Sequence, residues 1–249
     1  MSVLADISDP ALSINTQLID QVGDFTSEHN IAVAVSGGPD SMALAKLLSL
    51  WSVVREGPKI HALIVDHNIR KDSGAEAKRV AKRLKALDKT TAHILECNLA
   101  GRQTKIQEVA REERYRVIAE YCAAHDIANL FLGHHQDDQA ETVLFRLSKG
   151  SGLDGLAGML PQQEFSDELT LIRPFLRASK QDLLDFCEDM KIETERDPSN
   201  ENDKFARVRL RQSMEILSEE GLSAKRLSSV AHRLARARSA LEELAEETF

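Results

Sequence analysis

The sequence predicts an α/β protein: a doubly wound, mostly parallel five-stranded sheet with a C-terminal helical extension. Two observations carry this. Short apolar runs rich in β-branched residues alternate with longer amphipathic stretches, the pattern of strands covered on both faces by crossover helices. Past Pro174 the alternation stops and only helical patterns follow. Right-handed crossovers then make a doubly wound sheet the default arrangement.

The first two strands are the continuous apolar runs Ile31–Val35 (IAVAV) and Ile60–Val65 (IHALIV). Thr91–Leu95, Asn129–Leu132 and Leu169–Ile172 complete the five. Helical periodicity covers Met42–Val54, Ser73–Leu87, Ile106–His125 and Asp137–Leu147 between them. Then come a helix at Ser179–Met190 with Ser179 as N-cap, a polar turn at Arg196–Asn200, and helices at Asp203–Leu217 and Ser223–Ala245. The expected organisation is a sheet domain at 1–175, a helical segment completing it at 176–220, and a helical linker at 221–249.

Composition narrows the function classes. Hydrophobic residues at 42% and charged residues at 29% fit a globular chain with a full core. The net charge of -8 shows no global basic field, which argues mildly against nucleic acid because binding footprints are local. Three widely spaced cysteines (Cys97, Cys122, Cys187) form no CxxC and disfavour a disulfide scaffold, a zinc ribbon and a thiol-ligated iron–sulfur site. The N-terminus lacks a basic segment, and no apolar run approaches the roughly 18 residues of a membrane helix. The expectation is a soluble, cytoplasmic protein with no membrane partner.

Directly after the first strand stands Ser36-Gly37-Gly38-Pro39-Asp40-Ser41, and a helix follows. A tight turn from a buried strand into a helix N-terminus aims backbone N–H groups at one point, where the helix dipole favours an anion. Gly37 and Gly38 allow positive φ and close approach of a phosphate, and Ser36 and Ser41 add hydroxyls. Asp40 would repel a polyphosphate unless a magnesium ion (Mg2+) lies between them. The loop is neither a Walker A nor a GxGxxG motif.

The fourth strand runs into Gly133 and then His134-His135-Gln136-Asp137-Asp138-Gln139-Ala140-Glu141-Thr142. Asp137 and Glu141 share a helix face, with Asp138 pointing elsewhere. If the fourth strand neighbours the first, this helix opens at the topological switch point, where open α/β sheets bind ligands. First-turn acids that complement the helix dipole, ordinary turn histidines and, last in rank, a transition-metal site are the competing readings. Two basic runs are candidates for RNA phosphates: Lys204–Arg238, with nine Lys/Arg against three Asp/Glu, and Arg70–Lys89, with eight against three. The Arg70–Lys89 run reads more simply as a solvated helix face.

SGGPDS resembles the motif of the PP-loop ATP pyrophosphatases, an adenine nucleotide alpha hydrolase-like fold. Four further motifs follow it in order: Val65–Arg70 with Ser73 and Glu76, Ala110–Tyr115, Gly133–Thr142, and Gly150–Met159 (GSGLDGLAGM). Together, over residues 31 to 212, they resemble the tRNA(Ile)-lysidine synthetase family. The resemblance implies a ligase that adenylates the wobble cytidine of tRNA(Ile) with a CAU anticodon at its C2 oxygen. Free L-lysine then displaces AMP to give lysidine, which changes codon reading from AUG to AUA and identity from Met to Ile. It implies ATP and Mg2+ as cofactors. Ser36, Gly37, Gly38, Pro39, Asp40, Ser41, Asp66 and His67 would bind ATP, with Asp40 at the metal.

Catalysis would fall to Asp40, Asp137, Glu141, Arg114 and His134, and substrate binding to Asp137, Glu141, Arg111, Arg207 and Arg211. A lysine ε-amine with pKa near 10.4 is protonated at neutral pH, so a carboxylate must bind the ammonium and take its proton. Which of Asp137 and Glu141 does which stays open. Tyr115 is expected to pack rather than react, and Gly150–Met159 reads either as a backbone approach to a ligand or as a flexible loop.

Lys149 stands where the family commonly has arginine before GSG, and Val208 where asparagine is expected. Family members carry further C-terminal domains that grip the tRNA, and the chain's end at Phe249 leads to the expectation that it lacks them. A homodimer is an assembly the sequence allows. A tRNA thiolase, an amidotransferase-type synthetase and a non-catalytic nucleotide-binding module are the rival readings.

Overall fold

The computed structural model describes residues 29–68, 72–97, 106–195 and 206–248. The Arg196–Asn200 turn, Arg70 and Asp203 lie outside the described residues. Six strands form one sheet: β1 (Asn30–Ala34), β2 (Lys59–Asp66), β3 (Thr90–Glu96), β4 (Asn129–Phe131), β5 (Gln162–Ser166) and β6 (Leu169–Ile172). Their order is β3-β2-β1-β4-β6-β5, and every pairing is parallel except β5 with β6. The α/β class holds, and β1 does neighbour β4.

The sixth strand is an addition to the sequence reading. β5 (QQEFS) is exposed at every position and pairs through only one edge. With neither face buried, it has no apolar run or alternation by which to be recognised. Among the anticipated strands, β1, β2, β4 and β6 differ because the core covers them, while β3 has no buried position. Ile31, Ala32, Val33, Leu130 and Phe131 are fully buried, and each large side chain among them contributes about 1.5–3 kcal/mol.

The helices are α1 (Pro39–Val54), α2 (Ser73–Leu84), α3 (Ile106–Ala124), α4 (Gln136–Ser148), α5 (Leu153–Leu156), α6 (Lys180–Asp189), α7 (Ala206–Glu219) and α8 (Ala224–Thr248). α1 starts three residues before Met42 because Pro39 suits a first-turn position, where no N–H is needed. α2 ends at Leu84, short of the expected Leu87, and α5 was not anticipated.

By its contacts the chain divides into two compact units. One holds all six strands with α1–α3 and the stretch from Leu183 to residue 195. Its core joins Ala32, Leu63, Leu130 and Leu171 of the sheet to Ile118 and Cys122 of α3. The other holds His134–Pro161, Arg173–Asp182 and the described residues from 206 onward, with a core of Ala140, Val143 and Leu144 on α4 against Leu227 and Ala231 on α8.

Candidate active site

In the sheet unit the phosphate loop leaves β1 and opens α1. Gly37 has φ +89°, and a Cβ there would meet Val80 Cγ2 at 2.7 Å. Only glycine takes that conformation without strain. The loop braces itself with hydroxyls. Ser41 Oγ accepts from the Ser36 N–H at 3.1 Å and donates to the Gly38 carbonyl at 3.1 Å. The Gly38 N–H donates to Ser36 Oγ at 3.4 Å.

Gly38 is the N-cap of α1 and brings no side-chain cap, and Pro39 and Asp40 follow in the first turn. A Cβ on Gly133 would lie 3.0 Å from the Asp40 carbonyl carbon and oxygen, so the exit of β4 passes against the start of α1. The loop therefore sits at the β1–β4 switch point. A glycine turn held at positive φ against Val80 of α2, at a helix end whose cap residue has no side chain, fits a phosphate. Asp40 is the acidic residue in the first turn of α1. Among the described residues no three His, Cys, Asp or Glu side chains are grouped to hold a metal by themselves.

At the end of β2, buried Asp66 accepts the Asn68 N–H through Oδ1 at 3.0 Å. His67 Nε2 accepts from Arg114 Nε and Nη2 at 3.4 and 3.3 Å. That leaves the ring proton on Nδ1, a buried atom with no hydrogen-bond partner among the described residues. Burial first, and the Arg114 charge second, lower the His67 pKa and keep the ring neutral. Arg114 thus orients a histidine, and Arg111 lies over the Tyr115 ring, 5.2 Å from its centroid. Tyr115 packs as expected, stacked on Phe165 and set against the sheet core.

In the second unit α4 opens with a complete capping box. His135 Nδ1 accepts the Asp137 N–H at 3.2 Å, and Asp138 Oδ2 accepts the His135 N–H at 3.0 Å. Asp138 and His135 are therefore structural caps. Asp137 Oδ2 accepts the Lys180 N–H at 3.0 Å, at the first residue of α6. Ser179 caps that helix as anticipated, in a reciprocal pair with Asp182. The His135 contact first, and then the Lys180 N–H, hold the Asp137 carboxyl below the usual range. Its side chain is still 43% exposed, whereas Glu141, one turn on, is buried. His134 stands half-buried just before the cap.

The Gly150–Met159 segment is pinned rather than loose. Gln139, buried on α4, exchanges two hydrogen bonds with the Met159 backbone at 2.8 and 2.7 Å. Arg146 Nη1 donates to the carbonyls of Gly155 and Gly158 at 2.9 Å each. Arg207 and Arg211 fall on α7, with side chains outside the described set. In the Arg70–Lys89 run, Arg79 and Arg83 are bound to Glu195. Glu195, with Glu193 at Arg83, offsets their positive charge.

Glu195, Gln139 and Arg146 were not legible in the sequence. The cap at His135 had a signal, an acid three residues on, but histidine is not among the favoured cap residues. All three cysteines are buried free thiols, and burial pushes Cys122 up to about 12. Burial raises Cys97 as well, so neither it nor Cys122 has the low-pKa, accessible character of a reactive thiolate.

Residues 10–217 match the PP-loop domain family, so the chain belongs to that family. ATP binding is the property that goes with it. Among curated relatives, the chain is 40% identical over 220 residues to tRNA(Ile)-lysidine synthase of Rhodopseudomonas palustris, across 88% of this chain and 63% of the relative. It is 37% identical over 212 residues to the synthase of Ruegeria pomeroyi, across 85% and 50%. The chain thus spans about half to five-eighths of the length of these relatives. Among solved structures, the U34-tRNA thiolase NcsA of Methanococcus maripaludis superposes with a TM-score of 0.68 at 15% identity, over 93% of this chain and 78% of that one. That likeness is one of fold.

Proposed function

We propose that this chain carries the catalytic part of a tRNA(Ile)-lysidine synthase. The carrying observation is the phosphate loop, a glycine cradle at the start of α1 with Asp40 in its first turn. The curated relatives share that name over most of this chain. Residues 1–175 are taken as the ATP-binding catalytic domain, 176–220 as the segment completing it and 221–249 as a helical linker.

In the first step the C2 oxygen of the wobble cytidine in a CAU anticodon attacks the α-phosphorus of ATP. The O–P bond forms as the bond to the β-phosphate breaks, and pyrophosphate leaves. Loop amides, Ser36, Ser41 and Arg114 would receive the phosphate charge, and Asp66 and His67 the nucleoside. Mg2+ bound at Asp40 would neutralise the polyphosphate. In the second step the lysine amine attacks C2, the C–O bond breaks, and AMP departs.

Asp137 and Glu141 would bind the ε-ammonium and accept its proton, with His134 assisting. Asp137, already ionised by its His135 and Lys180 contacts, suits the binding role, and buried Glu141 the proton-accepting one. Arg111, Arg207 and Arg211 are assigned to the tRNA.

The test is transfer of labelled L-lysine to a tRNA(Ile) transcript with a CAU anticodon, in the presence of Mg2+ and ATP. Transfer that disappears in Asp40→Ala supports the proposal. If adenylated tRNA accumulates and no lysine is added, the loop's role survives and the lysine site is at fault. A chain that neither adenylates nor ligates, even with the C-terminal portion of a relative supplied, overturns it.

A further inference from the structure

Glu195 lies far from the phosphate loop in sequence and against it in space. Its N–H donates to the Gly37 carbonyl at 2.8 Å. Its Cβ and Cγ stand 3.4 Å from the point a Gly37 Cβ would occupy, a point Val80 of α2 also approaches. The Glu195 side chain is only 15% exposed and is gripped from α2. Arg79 donates to it through Nε at 3.1 Å and Nη2 at 2.9 Å, and Arg83 adds Nη1. Arg83 Nε also reaches Glu193 at 3.0 Å.

An exposed ion pair between mobile side chains contributes little. This one differs in geometry: a bidentate arginine and a second guanidinium, one turn apart on α2, converge on one sheltered carboxylate. The Arg79 contacts, with Arg83 behind them, push the carboxyl down to about 2, so it is ionised throughout the physiological range.

The consequence lies in one peptide plane. The Gly37 carbonyl and the Gly38 N–H belong to the same planar trans peptide and point in opposite directions. Fixing the carbonyl on the Glu195 amide fixes where the Gly38 N–H is aimed. That tie is the shorter of two on the plane, the other being the Gly38 N–H to Ser36 Oγ at 3.4 Å, and two successive glycines add no stiffness of their own.

We propose that Glu195 is a positioning residue for the phosphate loop, held by Arg79 and Arg83 so that its backbone amide orients the Gly37–Gly38 peptide toward a bound phosphate. This rests on the reading of the loop as an ATP site, so the experiment has a readout that needs no nucleotide. Residue-resolved amide exchange is measured for Ser36, Gly37, Gly38, Asp40 and Ser41 and, as an internal reference, for β4. Mg2+-ATP affinity is measured in parallel by calorimetry.

Glu195→Ala is expected to speed exchange in the loop by about tenfold relative to β4, and to weaken ATP by a similar factor. The double variant Arg79→Ala/Arg83→Ala should reproduce both effects, and adding Glu195→Ala to it should change little more. Saturating ATP should restore the rate of adenylation, a KM effect that a general loss of stability does not produce. Unchanged loop exchange in Glu195→Ala overturns the proposal. If that variant unfolds, Glu195→Gln decides: it keeps the volume and loses the charge, and wild-type values in both readouts overturn the proposal. Wild-type protein that binds no ATP refutes the ATP reading of the loop, while the exchange data still judge the tie.

Discussion

Two helices in this molecule begin a few residues beyond a strand, and they begin in opposite ways. α1 has a glycine N-cap with no side chain to offer, then a proline, and a loop braced by two serines. α4 has a full capping box, with His135 and Asp138 satisfying each other's backbone, and Asp137 turned to the first N–H of α6. Both ends carry the positive pole of a helix dipole. At α4 the protein supplies its own neutralising acids. At α1 the cap itself is left to the anion that binds. A helix start is a ligand site to the extent that the chain has not already capped it.

The largest test of this contrast is Gly37→Ala. A side chain at φ +89° and a contact at 2.7 Å to Val80 would displace the loop, and ATP affinity should fall about 100-fold in calorimetry. Affinity within threefold of wild type would break the account of α1. Next come the α4 acids. Asp137→Asn or Glu141→Gln should lower lysine transfer by about 100-fold or more while adenylated tRNA still forms. Loss of adenylation with lysine transfer would mean that these acids serve the first step instead.

A smaller effect is expected from the cap. His135→Ala removes one side-chain acceptor and should cost about 1 kcal/mol, or roughly 2–4 °C in Tm, with ATP affinity unchanged. The smallest is a pH effect. Asp137 has its carboxyl lowered from the ordinary 3.8 by folding, so its contribution is present above that value and fades as pH falls through the lowered one. Acid unfolding curves of Asp137→Asn should therefore be flatter than wild type below about pH 4 and parallel to it above. Parallel curves throughout would mean the carboxyl contacts carry no weight.

The strands that form the sheet centre were legible because burial on both faces demands unbroken apolar runs, as in Ile31–Val35. The polar edge strand β5 was not, since its pairing needs only backbone and leaves every side chain exposed. The same division holds at the site. SGGPDS announces itself because a tight turn needs glycine locally, and Asp137 and Glu141 because helix spacing alone puts them on one face.

Glu195 has no such local requirement. Its partners Arg79 and Arg83 stand more than a hundred residues earlier, and before folding all three are ordinary surface charges. Likewise nothing in the letters ties Gln139 to Met159, or turns Arg114 toward His67. The sequence by itself determined the class of fold, the phosphate loop and the pair of acids, because each follows from short-range sterics and periodicity. Tertiary structure alone decided which charges hold the loop in shape, because an ion pair between distant segments exists only once the chain has brought them together.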